Sequence, residues 1–176
     1  MAAPAAQSNA PYRIEPLGKS HDRNRFACGA EELDRYLKQQ ARQDADKRVA
    51  AAFVLLAPPA LQVLGYYTLS ASIVTADELP AELAKKVPRY PQLPVILLGR
   101  LAVDKQLKGQ KQGEFLLMDA LRRSLEAASK IGAMAVLVDA KNEAAEAFYK
   151  HFGFTPLQGQ PARLFLSMKT VAELFG

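Results

Sequence analysis

Val95-Ile-Leu-Leu-Gly-Arg-Leu-Ala-Val-Asp104, Lys105-Gln-Leu-Lys-Gly-Gln-Lys-Gln-Gly-Glu114 and Phe115-Leu-Leu-Met-Asp-Ala-Leu-Arg-Arg123 follow one another directly, and their reading decides the fold. The apolar run Val95–Leu98 has β-branched character and follows Pro94, which predicts a buried strand. A polar loop with two glycines comes next. Leu117, Leu121, Leu125 and Ala128 then recur at helical spacing, and Leu116 and Ala120 widen the stripe. A loop that turns into a helix N-terminus offers unpaired N–H donors and the positive end of the helix dipole. The chemistry it suits is a phosphate-bearing ligand.

The rest of the chain sets this unit in context. At 176 residues it has the length of one domain with a substantial core, and 49% hydrophobic with 23% charged residues is ordinary globular composition. The single cysteine, Cys28, excludes an internal disulfide and fits a reducing cytoplasm. Apolar runs fall well short of the roughly 20 residues a membrane span needs. Met1–Pro11 lacks the basic start and apolar centre of a secretion signal and is expected to be a flexible tail. A net charge of +5 favours an anionic partner or cofactor.

Working outward, Tyr12–Leu17 alternates as a short strand, and Leu33, Tyr36, Leu37 and Ala41 mark one amphipathic helix that fades near Lys47-Arg48. Ala51–Leu56 and Val63–Val74 flank the turn Ala57-Pro-Pro-Ala60 as a hairpin. A short helix is expected over Pro80–Lys86, after which Pro88, Pro91 and Pro94 keep the chain extended. Beyond the central helix come a strand at Ala133–Asp139, a helix at Glu143–His151 stopped by Gly153, a strand at Arg163–Met168 and a terminal helical turn at Val171–Phe175. The pattern predicts one mixed α/β (α+β) domain over residues 12–176 with a partly antiparallel sheet.

Three segments occur in an order that resembles the GNAT N-acetyltransferase fold. Gly99–Asp104 resembles the strand with which that family holds the pantetheine arm of acetyl-CoA, Lys108–Gly113 its pyrophosphate loop, and Asn142-Glu-Ala-Ala-Glu-Ala-Phe-Tyr-Lys-His-Phe-Gly-Phe154 its late helix. Phe26–Leu37, Gly65-Tyr-Tyr-Thr-Leu-Ser70, Pro94–Asp104 and Ala145–Phe154 extend the likeness to the GNAT toxins of type II toxin–antitoxin modules. The resemblance implies a mostly antiparallel central sheet flanked by helices. It also implies acetyl transfer from acetyl-CoA to the free amino group of aminoacyl-tRNA, which blocks translation. The partners implied are a ribbon-helix-helix antitoxin, operator DNA through that antitoxin only, and a second copy of the chain.

Residue roles follow from the same resemblance. Tyr149 is the implied general acid for the departing thiolate, since a phenol with an ordinary pKa of about 10 is protonated at neutral pH. Leu101, Ala102 and Val103 would bind the pantetheine arm through their main chain while their side chains pack. Lys108, Gly109, Gln110, Lys111, Gln112, Gly113 and Glu114 would cradle the pyrophosphate. Asn142 reads first as a helix N-cap, with a contact to the coenzyme arm as an added role, and Phe148 on the same helix is a further implied cofactor-binding residue that also reads as packing the helix against the sheet. Arg100 would face the tRNA, with Lys85, Lys86 and Arg89 as an added basic cluster, a pattern that by itself is more often a solvated face than a nucleic-acid site. No metal ligand set is expected.

One residue departs from the family pattern. Lys111 stands where the loop motif carries glycine, and a side chain there costs on the order of 1 kcal/mol if φ is positive, although its charge can pair with phosphate. A weakly active or inactive GNAT-like binding module therefore stands beside the toxin, and a GNAT enzyme acting on a small amine or protein terminus is a further reading.

Overall fold

The computed structural model describes residues 11–176, so the expected tail lies outside the described residues except for Pro11. Seven strands, β1 (Arg13–Pro16), β2 (Ala51–Leu56), β3 (Gly65–Thr75), β4 (Gln92–Val103), β5 (Ala135–Asp139), β6 (Thr155–Leu157) and β7 (Gln160–Ser167), form a sheet in the order β1-β2-β3-β4-β5-β7-β6. Six α-helices accompany them among the described residues: α1 (Glu31–Gln39), α2 (Ala41–Asp46), α3 (Ala81–Ala84), α4 (Gln112–Ile131), α5 (Glu143–His151) and α6 (Met168–Leu174). This is the mixed α/β architecture read from the sequence. The chain divides into two compact units, 11–70 with Gly99–Leu121, and Ala71–Leu98 with Arg122–Gly176.

In the first unit, β2 pairs antiparallel with both β1 and β3. Its core gathers Phe26, Leu37, Val54, Leu56, Val63, Tyr66 and Ala102, with Leu33 and Tyr36 packed against them. Full burial of one such side chain contributes about 1.5–3 kcal/mol. Asp104 ties this unit together. Its carboxylate accepts from the N–H groups of Ala27 at 3.1 Å and Gln106 at 3.0 Å, so it caps the turn Lys105–Leu107 and anchors the segment before α1.

The amphipathic helix expected to run on toward Lys47-Arg48 is broken at Gln40, whose φ of −123° lies outside helical space. Two competing hydrogen bonds explain the break. The Gln40 side chain donates to Asp44 at 2.9 Å, and Asp44 also receives the Tyr36 hydroxyl at 2.7 Å, so the polar side chains stabilise a bend.

In the second unit, β5 pairs parallel with β4 through Ile96–Leu98 and Val136–Val138, and antiparallel with β7. Its core is Val74, Leu79, Leu93, Val95, Ala135, Leu137, Leu157 and Phe165. β4 begins at Gln92, so it runs through Pro94 instead of starting after it. Pro94 is exposed and its carbonyl accepts from Met134 N–H, so a proline costs this strand no ladder donor that it needs.

Candidate active site

β4 changes role at Leu98. Its parallel ladder with β5 covers Ile96, Leu97 and Leu98 and ends there, so from Gly99 onward that strand edge has no β5 partner among the described residues. Within the first unit, a Cβ placed on Gly65 would sit 3.0 Å from Leu116 Cδ1 and 3.1 Å from the Ala102 carbonyl oxygen, so glycine lets β3, β4 and α4 approach closely. Ala102 is buried in the core. What it can offer a ligand is its peptide group alone.

The strand leads into the loop through the Lys105–Leu107 turn. Lys108 N–H and Gln110 N–H are bonded to the carbonyls of Lys105 and Leu107, which fixes the loop from inside. Gly109 has φ 82° with open space beside its α-carbon, and Lys111 has φ 60°. The Lys111 carbonyl accepts the first helical bond, from Phe115 N–H at 3.2 Å. Hence the N–H groups of Gln112, Gly113 and Glu114 lie ahead of the first intrahelical acceptor and remain for an anion. Lys105, Lys108 and Lys111 are all exposed around this helix start. Donors, charge and open space fit a pyrophosphate.

Gln112 is the exception within the loop. It is buried, its amide nitrogen donates to the Gln110 carbonyl at 3.3 Å, and its amide oxygen is buried without a hydrogen-bond partner among the described residues. The side chain braces the loop from within, so only its main-chain N–H remains for a phosphate.

Arg100 lies on the β4 face that carries Ala102. Its guanidinium carbon stands 3.5 Å from the centroid of the Tyr36 ring. Sequence reading missed this contact, because Tyr36 reads as one more apolar position of α1; the only available signal was its hydroxyl, which a core position does not require.

The second unit holds the other expected residues. Tyr149, on α5, is 8% exposed and packed edge-on against Phe148 at 5.2 Å and Phe154 at 5.4 Å between ring centroids. Burial pushes its phenol up to about 12. Its hydroxyl has no hydrogen-bond partner among the described residues, so a protonated donor stands uncommitted. Asn142 is the N-cap of α5, its side-chain oxygen accepting from Ala145 N–H at 2.8 Å. Lys85, Lys86 and Arg89 are exposed at and beyond the end of α3, with Lys85 3.9 Å from Glu82. Among the described residues no cluster of three or more His, Cys, Asp or Glu side chains is placed to hold a metal, and no helix is long and apolar enough to cross a membrane.

Residues 93–164 match the model of the acetyltransferase (GNAT) domain. A tRNA-acetylating toxin of Mycobacterium tuberculosis is 36% identical over 168 residues, 96% of this chain and 97% of that protein. The chain belongs to the GNAT-fold tRNA-acetylating toxins. A solved structure of AtaT complexed with acetyl-methionyl-tRNAfMet superposes with a TM-score of 0.88 at 36% identity, covering 94% of this chain and 99% of that one. A tyrosine-to-phenylalanine mutant of AtaT, bound to the C-terminus of the antitoxin AtaR and acetyl-CoA, superposes with a TM-score of 0.79 at 33% identity, covering 93% and 98%. Like the other GNAT toxins, this chain is an acetyl-CoA-dependent acetyltransferase.

Proposed function

We propose that this protein is a toxin that moves the acetyl group of acetyl-CoA to the free amino group of aminoacyl-tRNA and so blocks translation. One geometric observation carries the acetyl-CoA half of the reading. The β4 segment released from its ladder at Leu98 runs through a braced loop into a helix start ringed by Lys105, Lys108 and Lys111. Likeness to a tRNA-acetylating toxin along 96% of the chain supports the acceptor.

When bound, acetyl-CoA supplies a thioester carbonyl at which an N–C bond forms while the C–S bond breaks, the sulfur takes a proton and the amine loses one to water. The main chain of Leu101, Ala102 and Val103 orients the pantetheine amides. Gly109 and the N–H groups of Gln112, Gly113 and Glu114 hold the pyrophosphate, with Lys108 and Lys111 neutralising its charge. Tyr149 hydrogen-bonds the departing sulfur through Oη and gives it the proton. Burial raises that phenol to about 12, so it is still protonated where the amine, with a pKa of about 8, has become neutral. Phe148 packs edge-on against Tyr149 on the helix that carries both, and Asn142 caps that helix. Arg100, Lys85, Lys86 and Arg89 bind the phosphates of the tRNA.

The protein acts in the cytoplasm as a homodimer, is neutralised by a cognate ribbon-helix-helix antitoxin, and meets operator DNA through that antitoxin. The test is incubation with labelled acetyl-CoA and a pool of charged tRNAs, next to a Tyr149→Phe variant. Label should appear on the aminoacyl group with the wild type, and the variant should lose on the order of a hundredfold in rate. Absence of transfer to every charged tRNA, with acetyl-CoA binding confirmed by calorimetry, would overturn the reading. The positive φ of Lys111 favours one alternative, a weakly active module. An acetyl-CoA affinity too weak to measure would select it.

A further inference from the structure

Arg100 is unusual for a half-buried arginine. Among the described residues its guanidinium makes no hydrogen bond and no ion pair; it lies on the Tyr36 ring face at 3.5 Å and is attracted by the charge of the Asp44 carboxylate beyond ion-pair distance. Face stacking spends none of the five N–H donors, which radiate in the guanidinium plane. The ring beneath is itself held. Its hydroxyl donates to Asp44 at 2.7 Å, Asp44 is steadied by the Gln40 side chain at 2.9 Å, and the Tyr66 ring lies nearly parallel at 15° and 6.3 Å. Tyr66 is fixed in turn by its own hydroxyl, which donates to the Leu33 carbonyl at 2.7 Å. A phenol hydrogen-bonded to a carboxylate also carries more π density, which strengthens its attraction for a cation.

Resting on the proposed acetyl transfer to tRNA, we infer that Tyr36 is a positioning residue: with Asp44 it holds Arg100 flat so that the in-plane N–H donors meet a phosphate oxygen of the tRNA acceptor end. Charge neutralisation alone would be met equally well by a lysine or by a mobile arginine. A clamped, unspent fork matches two oxygens of one phosphate. The bend at Gln40 acquires a purpose here, because it brings the Asp44 carboxylate onto the hydroxyl of Tyr36, eight residues earlier.

The test measures acetyl transfer to a charged-tRNA pool, the salt dependence of tRNA binding, and acetyl-CoA affinity for Tyr36→Leu, Tyr36→Phe, Asp44→Asn, Arg100→Ala and the Tyr36→Leu/Arg100→Ala double variant. Tyr36→Leu and Arg100→Ala should each raise KM for tRNA on the order of tenfold, with kcat and acetyl-CoA affinity held. Each should also flatten the log–log salt slope by roughly 0.7–0.9, the signature of one lost phosphate contact. Tyr36→Phe and Asp44→Asn, which keep the ring, should fall between wild type and Tyr36→Leu. The double variant should be no worse than Arg100→Ala. Losses that multiply in the double variant, or a Tyr36→Leu defect with an unchanged salt slope, would overturn the inference while leaving the toxin reading intact. Failure of the wild-type protein to acetylate charged tRNA would overturn both.

Discussion

Lys111 sits at φ 60°, the left-handed region that glycine enters freely and a side chain enters at a cost on the order of 1 kcal/mol. Gly109, two residues earlier, takes the same handedness without that cost. Replacement Lys111→Gly is therefore expected to stabilise the fold by up to about 1 kcal/mol in a denaturant titration, whereas Lys111→Ala, which keeps the strain, should not. Comparing their acetyl-CoA affinities with wild type separates backbone relief from loss of the lysine charge. Tyr149 allows a prediction in pH. Its phenol stands at about 12, raised by burial, so it remains protonated up to roughly pH 11. The α-amino acceptor, by contrast, loses its proton near pH 8. The rate should climb through that value and then stay level to at least pH 10. A descending limb near pH 9–10 would show that the acid is a more exposed group. At this scale the sequence was legible where backbone conformation bears on the residue type, as at Gly109 and Lys111, both of which have positive φ. It was opaque where two distant groups meet, as at Tyr36 and Arg100, because an amphipathic pattern records that a position is buried without recording what it touches.

The strand–loop–helix element shows the same division. Strand, loop and helix were all readable from Val95 to Arg123, since apolar runs, glycines and 3.6-residue spacing each have one simple cause. The bounds moved where tertiary hydrogen bonds compete with local pattern. β4 starts at Gln92, before its proline, and the first amphipathic helix breaks at Gln40. Gly65 has a role that no local pattern reports: its missing Cβ makes room for Leu116 and the Ala102 carbonyl. Gly65→Ala is expected to destabilise the protein by about 1–3 kcal/mol and to weaken acetyl-CoA binding, because the displaced carbonyl lies on the strand proposed to hold the pantetheine. Denaturant and calorimetric titrations of this variant measure the two effects independently. Unchanged stability would mean that Leu116 moves aside without cost.

For the whole molecule, the net charge of +5 joins exposed lysines and arginines in both units, among them Lys108 and Lys111 in the first and Lys85, Lys86 and Arg89 in the second. If these groups meet tRNA phosphates, observed affinity should fall steeply between 50 and 200 mM salt, by the several powers of ten that many phosphate contacts produce. Charge-reversal of Lys85, Lys86 and Arg89 together should reduce that salt slope while leaving acetyl-CoA affinity unchanged. A slope identical to wild type would identify the cluster as a solvated face. The fold class and the sheet were recoverable from sequence because they follow from the alternation of apolar segments. Where the chain divides into compact units was not, because that depends on contacts between residues far apart in the chain.

The end of the β4–β5 ladder at Leu98 bears on how this chain can change over time. Upstream, the strand is bound to its neighbour and substitutions register as stability. Downstream, in the proposed reading, acetyl-CoA meets peptide groups and not side chains, so Leu101 and Val103 can exchange with other residues that pack and the ligand does not register the difference. What that stretch cannot absorb is loss of an amide. Leu101→Pro or Val103→Pro removes such an amide, and either is expected to cost acetylation, a second single-residue route beside Tyr149→Phe from this toxin to a harmless protein.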